Sequence, residues 1–315
     1  MIDLVPWFHG DDADRSRVGE AVDEAFQRSG FLLVSGHGVP PDAAAEMRRL
    51  ARTFFALPPE VKTRYRASPA NGRGWLPPGA EANAYSEGTE SPPDLKESLS
   101  YGADQATGID EVDRIWFQAN PMPAEIPGLP EAITSYMGVM HELADQLLEV
   151  CAVALGLPRT FFAELTDHPT YTFNTNWYPS LTAVGPPAEG QFRIGPHSDF
   201  GTVTLLDREP GAGGLQVFTR DGEWIDAPYE PGTLTINIGD LLARWTGDRW
   251  LSARHRVLPP PSSDPHEELI SLVFFYETNY DALIESLAPP VGYKHYTPVY
   301  AGDYLLEKYT AIAID

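Results

Sequence analysis

Apolar positions along the chain follow two different periods. From Arg17 to Arg28 they fall at 18, 21, 22, 25 and 26, the spacing of one helical face, and Ser29-Gly30 ends the run. Phe31-Leu32-Leu33-Val34 then predicts a short buried strand, followed by the turn-rich Ser35-Gly36-His37-Gly38-Val39-Pro40-Pro41. Asp42 is placed to cap a second helix running to about Ala56, before Pro58-Pro59. A third helix is predicted over 130–155, with apolar residues at 133, 136, 137, 140, 143, 144, 147, 148 and 151 and a stop at Gly156-Leu157-Pro158. From about Tyr171 short β-rich runs alternate with turns: Tyr171–Tyr178, Thr202–Leu206, Gly214–Phe218, Trp224–Pro228, Thr233–Ile238, His255–Leu258 and Leu269–Tyr276. That pattern predicts an antiparallel sandwich or barrel. Residues 68–128 show no sustained period and are rich in Pro, Gly, Asn and Ser, as expected of an irregular stretch that carries function or covers a site. The expected plan is an N-terminal helical and irregular region, 1–165, packed on and covering a β core with a C-terminal segment, 166–315.

Composition narrows the function classes. With 22 Lys+Arg against 45 Asp+Glu, the formal net charge is −23. Such a chain has no sequence-independent attraction to nucleic acid or an anionic membrane, so neither is expected as a partner. No apolar run approaches the roughly 18 residues that signal a membrane-spanning helix. Met1 to Trp7 lack the basic start and apolar stretch of a signal peptide, and a cytoplasmic protein acting on a small molecule is expected. The single cysteine, Cys151, excludes an internal disulfide and any cysteine-rich zinc site. Within its apolar helical run it reads as a buried structural thiol. Oligomeric state is not legible.

Of the eight histidines, two stand in a context with chemistry. His197-Ser198-Asp199 places a nitrogen ligand and a carboxylate two apart, on one side of an extended segment. His255 opens a later β run. Two imidazoles and one carboxylate leave coordination positions open, which suits ferrous iron that must also bind O2 and substrate. On spacing alone, an H-x-D pair also arises by chance, and a structural role stays open.

The surroundings are more specific. Gly30-Phe31 through His37-Gly38-Val39-Pro40, Phe54-Phe55-Ala56-Leu57-Pro58, Asn176-Trp177-Tyr178-Pro179, Pro196-His197-Ser198-Asp199-Phe200-Gly201-Thr202-Val203-Thr204, Gly213-Gly214-Leu215-Gln216-Val217, Asn237-Ile238-Gly239-Asp240, His255-Arg256-Val257 and Ala301-Gly302-Asp303-Tyr304-Leu305-Leu306 occur in this order. Taken together they resemble the blocks of the isopenicillin N synthase-like family of non-haem iron oxygenases, most of which use 2-oxoglutarate. The resemblance covers essentially the whole chain. It implies an α+β fold: a distorted double-stranded β-helix (jelly-roll) core with a helical N-terminal part. It implies Fe(II) held by His197, Asp199 and His255, with 2-oxoglutarate and O2 as co-substrates. The implied reaction is oxidation of a C–H bond of a small organic metabolite by hydroxylation, desaturation or cyclisation. Tyr178 and Ser271 are implied to hydrogen-bond a co-substrate carboxylate. Asn176 either holds a ligand carboxylate or caps a strand end. Phe275 shares a strand face with Ser271, and His37 is implied to be structural. For Arg73 and Trp75 a substrate contact stands beside a solvated Arg and a core Trp, and Asp94-Leu95-Lys96-Glu97 reads as structural.

One position departs from the family pattern. An R-x-S pair normally anchors the distal carboxylate of 2-oxoglutarate, and here Leu269 precedes Ser271 in place of the arginine. A buried carboxylate without a cation costs several kcal/mol (about 3–5 kcal/mol when a pair is broken), and leucine offers no compensation. The cation can come from elsewhere, with Arg193 the first candidate and Arg208, Arg244 and Arg254 the others. Alternatively the enzyme is an oxidase that needs no 2-oxoglutarate, or Pro259-Pro260-Pro261 shifts the register of the strand. A non-catalytic jelly-roll binding protein is a further alternative, against which the intact triad argues.

Overall fold

Two sheets carry the fold. In a computed structural model, which describes residues 1–67 and 72–312, their strands are β1 (Ile2–Asp3), β2 (Phe31–Ser35), β3 (Gly74–Leu76), β4 (Glu97–Gly102), β5 (Tyr171–Tyr178), β6 (Ile194–His197), β7 (Val203–Arg208), β8 (Leu215–Phe218), β9 (Trp224–Asp226), β10 (Leu234–Ile238), β11 (His255–Val257) and β12 (Leu269–Tyr276). The larger, eight-stranded sheet has the order β1-β2-β10-β7-β12-β5-β4-β3, and the smaller is β6-β11-β8-β9. Except for the parallel β1–β2 pair, neighbours run antiparallel. This is the jelly-roll core of an α+β fold.

The period-two pattern of β12 decides which residues reach the site. Ile270, Leu272, Phe274 and Tyr276 are fully buried in the hydrophobic core that includes the Pro41–Phe55 and Leu129–Ala154 helices. Leu269, Ser271, Val273 and Phe275 turn the other way, into a cavity. A slip of one residue would bring four core side chains out, at about 1.5–3 kcal/mol each, and turn every site residue away. The pairing with β5 therefore has one register, Leu269 opposite Tyr178 and Ser271 opposite Asn176. The register shift considered for the Pro259–Pro261 stretch does not occur.

The first long helix is Asp12–Ser29, five residues longer at its start than the apolar spacing indicates. Asp11 and Asp14 form a capping box there, a polar signal that hydrophobic period does not carry. Asp42 is not a cap: the second helix begins at Pro41, and Asp42 lies in its first turn, where a carboxylate faces the positive end of the helix dipole. The stretch 68–128 is less irregular than its composition suggests. It holds β3, β4 and the Asp110–Trp116 helix. All six residues of β4 are buried, and Glu97 and Ser98 have side-chain partners there. Glu97 accepts from Lys62 Nζ (2.7 Å) and Trp75 Nε1 (2.8 Å), and Ser98 donates to Asn176 Oδ1 (2.7 Å). Strands from both sides of residue 165 thus share the larger sheet. No helix among the described residues is long and apolar enough to cross a membrane.

Candidate active site

Adjacent strands of the smaller sheet bring the two histidines together. β6 and β11 pair with His197 opposite His255, and their rings lie 4.2 Å apart. Each ring is oriented through Nδ1, 2.8 Å from Gly195 O for His197 and 3.2 Å from Ala253 O for His255. A carbonyl only accepts, so each Nδ1 carries the proton and each Nε2 lone pair is left for a ligand bond. Both Nε2 atoms are 3.6 Å from Asp199 Oδ1. The three ligand atoms lie within 4.8 Å of one another, a separation that one ion can span.

Asp199 does not continue β6, which ends at His197. Its place is fixed from the larger sheet. Asp199 Oδ2 accepts from Thr204 Oγ1 (2.7 Å) and Asn237 Nδ2 (2.6 Å), so Oδ1 is the oxygen turned to the imidazoles. The Asp199 backbone carbonyl accepts from Asp240 N (2.7 Å). Burial opposes ionisation of Asp199, but the two imidazoles, in so far as they are protonated, and these two donors hold the carboxyl below the ordinary range. His255 is driven the other way: burial, reinforced by His197, lowers its imidazole to about 4. The donor set is one carboxylate oxygen and two imidazole nitrogens, which fits Fe(II). Behind it, the fully buried Glu277 carboxyl sits over Gly201, whose missing Cβ would fall 1.6 Å from Glu277 Oε2. Burial and the Asp199 charge raise Glu277 well above the usual carboxylate range, which favours its neutral form.

A cavity of about 610 Å³ opens from the triad. Asn176, Tyr178, Ser271 and Phe275 all line it, as does Arg193. Tyr178 and Ser271 hydroxyls are 3.1 Å apart. Asn176 Oδ1 is taken by Ser98. Arg193 is 1% exposed, and its Nη1 donates to Glu267 Oε1 at 2.6 Å. Glu267 in turn accepts from the backbone amides of Ala212 and Gly213, so Arg193 and Glu267 together pin the glycine-rich loop that walls one side of the cavity. Arg254 pairs with Glu87, and Arg244 donates to Thr297 O between Tyr296 and Tyr304; neither lines the cavity. Arg208 does line it. Arg73 and Trp75 are structural: Arg73 is buried and donates to Ala103 O and Trp116 O, and Trp75 binds Glu97. His37 holds a turn, accepting from Val39 N at 3.2 Å. Spacing gave no hint of Thr204 and Asn237; their signal is that both face the cavity from strands flanking the triad.

The family model for the 2OG-Fe(II) oxygenase superfamily matches residues 172–278, which contain the triad, and the model for the N-terminal part of non-haem dioxygenases in morphine synthesis matches 1–125. Validamycin A dioxygenase of Streptomyces hygroscopicus subsp. limoneus is 42% identical, over 93% of this chain and 80% of its own length. The chain belongs to the 2OG-Fe(II) oxygenase superfamily. This oxygenase is also similar to homoarginine-6-hydroxylase of Glycine max, at 30% identity over 86% of the chain and 80% of the relative. A full-length Neurospora crassa protein solved with alpha-KG, that is 2-oxoglutarate, superposes with a TM-score of 0.84 at 28% identity, covering 98% of this chain and 95% of that one. The same protein has been solved with thymine as well. The chain is thus a non-haem, Fe(II)- and 2-oxoglutarate-dependent oxygenase, and the oxidase and non-catalytic alternatives are not retained.

Proposed function

We propose that this oxygenase hydroxylates a C–H bond of a small, polar metabolite in the cytoplasm. In the balanced reaction one oxygen atom of O2 enters the substrate C–H bond, and the other enters succinate as 2-oxoglutarate loses CO2. The observation that carries the proposal is the placement of the triad, Tyr178 and Ser271 on the walls of one cavity. Fe(II), when bound by His197, Asp199 and His255, supplies reducing electrons and open coordination positions. The chain's own residues do the rest. Asp199 contributes one negative charge through a fixed oxygen. Tyr178 OH and Ser271 Oγ offer adjacent donors for a co-substrate carboxylate, with Asn176 fixing the strand beneath them. Phe31 packs edge-on against His255 (5.2 Å) and keeps its ring in place.

A polar substrate suits the Gln216, Asp226 and Tyr229 side chains along the cavity. It also suits the names of the relatives, which act on validamycin A and homoarginine. The test is incubation with labelled O2 and a panel that includes validamycin A, homoarginine and thymine, read by mass spectrometry. One added label atom in a small polar product supports the proposal. Loss of hydrogen without oxygen gain, in every turned-over substrate, would replace hydroxylation by desaturation or cyclisation.

A further inference from the structure

Leu269 leaves the distal carboxylate of 2-oxoglutarate without its usual cation, and the cavity contains a cation without an anion. Arg193 and Arg208 are the arginines on its walls, and Arg193 is neutralised by Glu267. Arg208 has no carboxylate within ion-pair distance among the described residues. Its Nη2 donates to the backbone carbonyls of Ala227 and Pro228, and its guanidinium lies 5.5 Å from the Tyr229 ring centroid. Its Nε is buried with no hydrogen-bond partner. A desolvated guanidinium on a cavity wall, with no carboxylate partner and one N–H unused, is suited to take an anion.

Strand register puts that site in the right place. Arg208 is the last residue of β7, directly opposite Ser271 on β12, and both side chains face the cavity. Residues paired in this way have Cβ atoms about 5 Å apart. Asn176 is Ser271's partner on the other side, and Tyr178 is the partner of Leu269. An anion bound to the Tyr178 and Ser271 hydroxyls therefore meets Arg208 from the next strand. The Leu269 side chain packs against the glycine-rich loop, its Cδ1 2.5 Å from where a Cβ on Gly211 would be. Charge also balances. Asp199 cancels one of the two charges of Fe(II), 2-oxoglutarate brings two negative charges, and Arg208 supplies the positive charge that is missing.

Resting on the 2-oxoglutarate-dependent reading above, we propose that Arg208 is the anchor for the distal carboxylate of 2-oxoglutarate, replacing from β7 the cation that Leu269 removes from β12. The test is anaerobic calorimetric titration of the Fe(II)-loaded protein with 2-oxoglutarate and with 2-oxopentanoate, which keeps the keto acid and has a methyl in place of the distal carboxylate. Arg208→Gln should raise the Kd for 2-oxoglutarate at least tenfold, the scale expected for truncating a buried charge pair, and leave that for 2-oxopentanoate within about twofold. Arg208→Lys, which keeps the charge without the fork, should fall between and reads the same effect if the glutamine variant does not fold. An unchanged preference for 2-oxoglutarate in folded Arg208 variants would overturn the proposal. So would an equal loss for both ligands. A wild-type protein with no affinity for 2-oxoglutarate would instead overturn the co-substrate reading itself.

Discussion

Asn237→Ala probes whether Asp199 is held as a ligand from the larger sheet. Asn237 Nδ2 donates to Asp199 Oδ2 at 2.6 Å, and Thr204 Oγ1 donates at 2.7 Å; all three residues are buried. A hydrogen bond to a charged group is worth about 1.5–3 kcal/mol, and every 1.4 kcal/mol is tenfold in affinity. If most of that energy is expressed in ligand orientation, the Kd for Fe(II) should rise about 10–100-fold, as for other partners of metal ligands. Thr204→Val should act in the same direction. The double variant should lose less than the product of the two single effects, because a carboxylate released by the first substitution is already free to rotate. The assay is anaerobic Fe(II) titration against a competing chelator, with thermal melting of the metal-free proteins as the check on folding. A folded Asn237→Ala protein that binds Fe(II) within about twofold of wild type would refute the claim that this bond positions Asp199.

The other predictions concern groups behind and beside the triad. Glu277 is held neutral when folded, so the native state keeps a proton that the unfolded chain releases above its ordinary pKa, and stability falls as pH rises. Glu277→Gln, of the same shape and always neutral, should raise the melting temperature at pH 8 and gain little near pH 4; a variant destabilised equally at both would argue against a neutral Glu277. The His255 imidazole is depressed to about 4, so the unfolded chain takes up its proton first, near 6.5. Metal-free protein should therefore lose stability as pH drops from about 6.5 toward about 4, with Fe(II) enlarging the loss because the ion competes for the same nitrogen. A melting temperature constant across that window would contradict the burial argument. Glu267→Ala strands Arg193 in the interior and should cost about 3–5 kcal/mol in denaturant unfolding, as breaking a buried pair does. A loss below about 1 kcal/mol would show that Arg193 finds another partner or water.

Strands whose pattern is set by burial were legible almost to the residue. β5 and β12 span 171–178 and 269–276, the same bounds as their apolar runs, because one face packs on helices and the other lines a cavity. β4 was not legible: Glu97 and Ser98 satisfy their burial through Lys62, Trp75 and Asn176, residues remote in sequence. The triad was legible from spacing and from the blocks around it, although Asp199 is positioned by Thr204 and Asn237 and not by continuation of the strand. The choice among arginines was not legible, because it depends on which guanidinium already has a carboxylate. Parity along β6 pointed to Arg193, and the structure gives that residue to Glu267.

The most direct measurement of the central claim is succinate formed per 2-oxoglutarate consumed, in wild type and in His197→Ala, Asp199→Ala and His255→Ala. The account predicts equimolar succinate that requires Fe(II) and O2 in the wild type, and loss of that turnover in each variant. Succinate formation that persisted in all three, or substrate-driven O2 uptake indifferent to 2-oxoglutarate, would contradict it.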